Sequence, residues 1–122
     1  MKLSSGIDLI EIERVREAIE RHSDKFVARI FTEREQRECG GRVASLAARF
    51  AAKEAAAKAL GTGIGDVSWL EIEVGGDENN APHLYLTGIA EQIAKEKGLV
   101  TWSVSLSHTH SHATALVIAT GE

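Results

Sequence analysis

A single cysteine, Cys39, rules out an intramolecular disulfide in this 122-residue chain and fits a reducing compartment. Its neighbours are Glu38 and Gly40, with nothing beside it to lower its pKa by charge, so it reads as inert. Aromatic residues are scarce at 5%, so aliphatic and alanine side chains must supply the core. Alanine buries little area per residue, which makes oligomer formation a reasonable supplement. No apolar stretch approaches the ~20 residues needed to span a bilayer. The N-terminus lacks the basic region and apolar core of a signal peptide. The chain is therefore expected to be cytoplasmic, with no membrane partner. Positive charge is not in excess either: Lys and Arg total 14 against 18 Asp and Glu, a net charge of −4. That balance argues against a nucleic-acid binder relying on global charge. There is no strand–GxxxxGK[ST]–helix element, which excludes a P-loop protein. Internal repeats, low-complexity segments and linkers are absent as well, so residues 1–122 are expected to form one domain.

Hydrophobic periodicity supplies the elements that are present. Leu3 to Ile10 alternates as a strand, and Ile12, Val15 and Ile19 recur at helical spacing to about His22. Ser23 is a candidate N-cap for a short helix with Phe26, Ile30 and Phe31, and Thr32-Glu-Arg-Glu35 has the form of a capping box. A long helix is expected from about Arg42 to Leu60, with Val43, Leu46, Ala47, Phe50 and Ala57 as its apolar stripe and Gly61 as its C-cap. Strands are expected at Val67 to Val74, His83 to Leu86, Thr101 to Ser107 and Ala113 to Ala119, with a helix from Gly88 to Lys97. Helices cluster first and strands follow. The pattern is that of an α+β protein with a mostly antiparallel sheet packed against helices.

Three groups of residues could carry chemistry. In Phe50-Ala-Ala-Lys-Glu-Ala-Ala-Ala-Lys58, Glu54 and Lys58 lie one turn apart on one helix face, a spacing that also suits a plain surface ion pair. Asp8, at the end of the first strand, reads either as a helix N-cap or, together with Glu54, as a ligand. Two hard carboxylates completed by substrate phosphates and water suit Mg²⁺, and Lys58 would then neutralise phosphate oxygens. The run Ser107-His108-Thr109-His110-Ser111-His112 can be read as turn residues, as a phosphate contact, or as three same-face imidazoles for zinc. Ser107 and His108 are adjacent on a strand and point to opposite faces, which does not suit a Ser–His hydrolase. The cations Arg14, Arg16, Arg21, Lys25 and Arg29 alternate with acids and read first as a solvated helix face.

Three blocks in order resemble the holo-(acyl-carrier-protein) synthase family of 4′-phosphopantetheinyl transferases. They are Gly6-Ile-Asp-Leu-Ile-Glu-Ile-Glu-Arg14-Val15, Arg49 to Ile64 with its Lys-Glu-Ala-Ala-Ala-Lys core, and Ser105-Leu-Ser-His108. Leu86-Thr-Gly-Ile-Ala90 is similar to that family too, and the likeness spans nearly the whole chain, at the length of the short, stand-alone members.

The resemblance implies transfer of 4′-phosphopantetheine from coenzyme A to a serine of an apo acyl carrier protein, releasing adenosine 3′,5′-bisphosphate, in fatty acid and other lipid biosynthesis. It implies that Asp8 and Glu54 bind Mg²⁺ and that Lys58 serves the pyrophosphate, with Glu54 as the preferred group to deprotonate the serine. Arg49, Gly61, Thr62 and Gly63 match positions lining the coenzyme A groove, and Pro82, Ser107 and His108 match its nucleotide end. Position 81 is alanine where the family has a lysine, and His110 and His112 carry no family role. Arg14 and Arg21 match positions that dock the acidic carrier. A homotrimer with active sites between subunits is also implied. The alternative on the same fold is a non-catalytic module that binds coenzyme A or a nucleotide.

Overall fold

The computed structural model describes every residue from Met1 to Glu122. The chain runs β1 (Lys2–Glu11), α1 (Ile12–Ile30), α2 (Glu33–Cys39), α3 (Val43–Leu60), a 3-10 turn (Trp69–Glu71), β2 (Ile72–Gly76), β3 (Pro82–Leu86), α4 (Gly88–Glu96), β4 (Thr101–His108) and β5 (His112–Gly121). Every strand pair is antiparallel, in a three-stranded sheet of order β1-β5-β4 and a β2-β3 hairpin. The fold is α+β, as the order of helical and alternating segments implied. No helix is long and apolar enough to cross a membrane.

Local chemistry accounts for most boundaries. Ser23 breaks α1 with φ 49°, separating the two helical segments that the sequence distinguishes. Thr32 and Glu35 form their capping box at the start of α2, and Gly40 ends that helix in the left-handed region. Gly61 does the same for α3 at φ 80°. Two expectations change. Asp8 is not an N-cap, because β1 continues to Glu11 and α1 starts only at Ile12. Val67 to Val74 is not one strand: Ser68 accepts the Leu70 N–H while the Glu71 carboxylate accepts the Ser68 N–H. That reciprocal pair curls Trp69–Glu71 into a 3-10 turn, and strand geometry starts at Ile72.

Helix α3 is the centre of the molecule, not an amphipathic surface helix. Its buried residues run all round it, from Leu46, Ala47 and Ala48 through Ala51, Ala52, Lys53, Ala55, Ala56 and Ala57 to Ala59 and Leu60. A helix packed on most of its faces needs small side chains where backbones approach closely, which explains the alanines. The closest approach is at Gly6 of β1, where an added Cβ would stand 1.9 Å from the Ala55 carbonyl oxygen. Gly6→Ala must push β1 off α3, and we expect a loss of about 3 kcal/mol on chemical denaturation. Asp8, two residues along the same strand face, would be displaced with it.

The other face of the sheet is bare. Leu3, Ile7 and Leu9 of β1 and Leu116 and Ile118 of β5 are exposed, and Ile7 pairs directly with Leu116. Period-two alternation puts these side chains on one side and Gly6, Asp8, Ala115 and Val117 on the other, against α3.

Candidate active site

Asp8 and Lys58 are 50 residues apart in sequence, and the packing of β1 on α3 brings them together. Lys58 Nζ lies 3.3 Å from Asp8 Oδ1 and donates to the Ile7 carbonyl at 2.9 Å. The Asp8 main chain is fixed from its other side, since Thr114 Oγ1 of β5 donates to its carbonyl at 2.7 Å. The surface-pair reading of Glu54 and Lys58 therefore gives way: the lysine pairs with Asp8 across the β1–α3 contact. Glu54 belongs to the same cluster. Partial burial pushes its carboxyl above the usual carboxylate range, the Asp8 charge pushes it further, and Lys58 opposes both.

Asp8 lies close enough for its charge to disfavour the ionised form of Glu54, with Lys58 acting on the same carboxyl in the opposite direction. No group of three or more His, Cys, Asp or Glu side chains gathers anywhere in the fold. Two hard oxygen ligands on an open surface fit Mg²⁺, which takes the rest of its shell from water and phosphate. The donor set does not suit zinc.

A second feature lies on the opposite side of α3. A cavity of about 500 Å³ is lined by Glu38, Arg42, Arg49, Gly76, Asn80, Pro82 and Leu106. Arg49 is held firmly, donating to Glu38 Oε1 at 3.2 Å, to Cys39 Sγ at 3.2 Å and to the Glu35 carbonyl at 3.3 Å. Burial opposes the Glu38 charge, but the Gly76 N–H, Arg34 and Arg49 outweigh it and hold that carboxyl below its usual range. Burial also pushes the Cys39 thiol up, despite Arg49 beside it, which agrees with an inert side chain.

Helix geometry separates the two features. Nine residues at about 100° each put Arg49 and Lys58 on opposite faces of α3, with a rise of about 13 Å between them. Arg49 and Pro82 thus meet in one cavity, while Asp8, Glu54 and Lys58 meet elsewhere. Gly61, Thr62 and Gly63 follow the C-terminus of α3, on the Lys58 side. The Thr62 N–H and hydroxyl both reach the Ala57 carbonyl, and a Cβ at Gly63 would meet nothing.

The histidine run is a hairpin. β4 ends at His108, β5 starts at His112, and the Thr109 N–H donates to the His112 carbonyl at 2.8 Å. Alternation puts His108 on the same sheet face as Leu106, the cavity side, and His112 on the other. The three imidazoles therefore do not share a face, and the zinc reading is set aside. Ser107 points away from the cavity, opposite Thr114. His110 sits in the turn itself, and Ser111 Oγ contacts His112 Nδ1 at 2.9 Å.

On α1, Arg14 and Arg21 are exposed and seven residues apart, which places them on one face. Arg14 is 3.7 Å from Glu11 with both side chains largely in solvent, a pairing worth little and easily exchanged. α1 follows β1 directly, so this basic face is joined to the strand that carries Asp8 without an intervening loop.

Sequence reasoning missed Arg42, Asn80, Glu38 and Leu106 in the cavity wall, and it passed over Lys53. That side chain is fully buried and pairs with Glu35, also fully buried, at 2.7 Å. A charged residue within an alanine run was the available signal. Phe50, one turn before Glu54, stacks on Trp69 at 4.8 Å and has a packing role.

A family model described as the 4′-phosphopantetheinyl transferase superfamily matches residues 4–117. The chain is 48% identical to a holo-[acyl-carrier-protein] synthase of Herpetosiphon aurantiacus, over 98% of this chain and 99% of that protein. It is 46% identical to the protein of the same description from Moorella thermoacetica, over 95% and 92%. Among solved structures, the Helicobacter pylori holo-[acyl-carrier-protein] synthase in complex with coenzyme A superposes with a TM-score of 0.87 at 32% identity, over 95% of this chain and 99% of that one. Sequence, fold and length agree along the whole chain: it belongs to the holo-[acyl-carrier-protein] synthase family of the 4′-phosphopantetheinyl transferase superfamily.

Proposed function

We propose that this chain, acting as one domain over residues 1–122, transfers 4′-phosphopantetheine from coenzyme A to a serine of an apo acyl carrier protein in the cytoplasm, in service of lipid biosynthesis. The observation that carries the reading is the meeting of Asp8, Glu54 and Lys58 across 50 residues of sequence, in a chain whose relatives are holo-[acyl-carrier-protein] synthases.

The reaction is a displacement at phosphorus, so positioning and charge stabilisation supply most of the catalysis. The serine oxygen forms a bond to the phosphorus next to pantetheine, and the bond from that phosphorus to the bridging oxygen breaks. The electron pair leaves on the nucleotide phosphate, giving adenosine 3′,5′-bisphosphate. Asp8 and Glu54 would hold Mg²⁺, which when bound offsets the charge of the pyrophosphate. Lys58 sets an ammonium beside the same carboxylates, where it can stabilise or protonate the leaving phosphate. The serine proton goes to Glu54, whose carboxyl partial burial and the Asp8 charge raise above the usual carboxylate range. Arg49 and Pro82 in the cavity would take the nucleotide end, with His108 on the same sheet face.

The separation of the two features on α3 supports an active site completed by a neighbouring subunit. The bare apolar face of β1 and β5 supports assembly into a homotrimer through that face. The direct test is intact-mass measurement after incubation with coenzyme A, Mg²⁺ and an apo carrier protein. The expected result is a carrier heavier by one phosphopantetheine. Unmodified carriers from several sources, with coenzyme A still bound by the protein, would favour the binding-module alternative.

Arg14 and Arg21 would face the acidic carrier. We expect Arg14→Glu with Arg21→Glu to raise the KM for carrier about tenfold or more at low salt, while the KM for coenzyme A stays put. The difference from the parent should shrink as salt is added, and rate measurements at two ionic strengths check it.

A further inference from the structure

Helix α2 has an unusual composition for a packed element. Its seven residues, Glu-Arg-Glu-Gln-Arg-Glu-Cys, bury only Glu35 and Cys39. Apolar burial cannot place so short and polar a helix, yet α2 carries Glu38, which grips Arg49 at the cavity wall. Its anchor is polar. Glu35 Oε1 accepts the Thr32 N–H at 2.8 Å and pairs with Lys53 Nζ at 2.7 Å, and Oε2 accepts the Val74 N–H of β2 at 2.8 Å. Lys53 spends its other donors on the carbonyls of Trp69, at 2.9 Å, and Ile72, at 2.7 Å. The ammonium is fully satisfied, and no buried side-chain polar atom in the protein lacks a partner. One ion pair thus ties together α2, α3, the 3-10 turn and β2.

The consequences appear one turn further along α2. Glu38 Oε1 meets both Arg49 Nη2, at 3.2 Å, and the Gly76 N–H, at 3.0 Å, and Arg49, Gly76 and Glu38 all line the cavity. Buried ion pairs often add no net stability over an apolar pair of similar size, whereas they do fix one arrangement of the elements they join.

We propose that Glu35 and Lys53 are a positioning pair for the nucleotide end of the substrate: by fixing α2 and β2 against α3, they set Glu38 and, through it, the Arg49 guanidinium at the cavity. This rests on reading that cavity as the site for the nucleotide end of coenzyme A. Neither residue touches the reacting atoms, so their removal should act on binding and not on the chemical step.

The test is the double variant Glu35→Met with Lys53→Met, compared with the parent by steady-state kinetics, by calorimetry with adenosine 3′,5′-bisphosphate, and by amide exchange. We expect a lowered melting temperature with the cooperative transition still present, since the Thr32 and Val74 N–H groups and the Trp69 and Ile72 carbonyls lose their partners. With it we expect a KM for coenzyme A and a Kd for the bisphosphate both raised about tenfold, and kcat within about twofold. Amides of Glu33–Cys39 and those of Val74 and Gly76 should lose protection while α3 keeps its own. Unchanged KM and Kd overturn the proposal, as does a loss of kcat alone. If the double variant does not fold, Glu35→Gln, which keeps the shape and removes the charge, is read by the same measurements with the same outcomes. A parent that neither binds nor turns over coenzyme A would refute the proposed function instead. Amide exchange would then decide the positioning role on its own: unchanged protection of α2 and β2 overturns it.

Discussion

Glu54→Gln should lower kcat by about 10³-fold and at the same time make the metal-free protein more resistant to heat at neutral pH. Both effects have one cause. Glu54 is held, partly buried, beside the charge of Asp8, so its carboxyl sits above the usual range and its ionised form is disfavoured in the folded state. A carboxyl raised by folding stabilises the fold fully below its unfolded pKa, and that stabilisation is lost as pH rises through the folded value. At neutral pH the parent therefore carries an ionised group that the fold resists. Glutamine is free of this cost, and free of the base and the metal ligand too. Thermal melts across pH check the claim: the advantage of the variant should be largest near neutrality and vanish in acid. Added Mg²⁺ should raise the melting temperature of the parent and leave the variant unmoved. A variant that keeps parental turnover would remove Glu54 from the mechanism.

Mixing two impaired variants should restore activity at coenzyme A concentrations below the KM of the Arg49 variant. Glu54→Gln removes the carboxylate side, and Arg49→Ala removes the anchor on the opposite face of α3. If each active site takes Glu54 from one subunit and Arg49 from its neighbour, an equal mixture reassembled from unfolded or dissociated chains has both halves intact in one site of four, about a quarter of parental activity. If all the groups of a site come from one subunit, no mixture contains an intact site and activity stays at the background of the separate variants. Ile7→Glu, on the exposed apolar face opposite Leu116, supplies the companion measurement. A charge there should give monomers on sedimentation and remove the activity of the parent, with the melting transition still present.

The blocks that carry the chemistry were legible because their signals are local. Glu54 and Lys58 stand one helical turn apart, the capping box at Thr32 and Glu35 is complete within four residues, and Gly61 marks the end of α3 by its left-handed backbone. The α+β class followed from the order of 3.6-residue and two-residue periods. Each of these depends on neighbours within a turn or two, so the chain alone states it. The zinc reading of the histidines failed for a related reason: alternation places three imidazoles on one face only while the strand continues, and the hairpin at Thr109 to Ser111 interrupts it.

What the sequence determined by itself, then, is the helix from about Arg42 to Leu60 with its Gly61 cap, the first strand with Asp8, and the family to which they point. Tertiary structure decided the rest. It turned Lys58 from Glu54 to Asp8, because Gly6 lets β1 lie directly on the Ala55 carbonyl and brings the carboxylate within reach. It brought Arg49 and Pro82 into one cavity, and it hid Lys53 against Glu35. No periodicity in a single chain encodes such pairings. They arise from how closely two backbones approach, and here a glycine and a run of alanines set that distance.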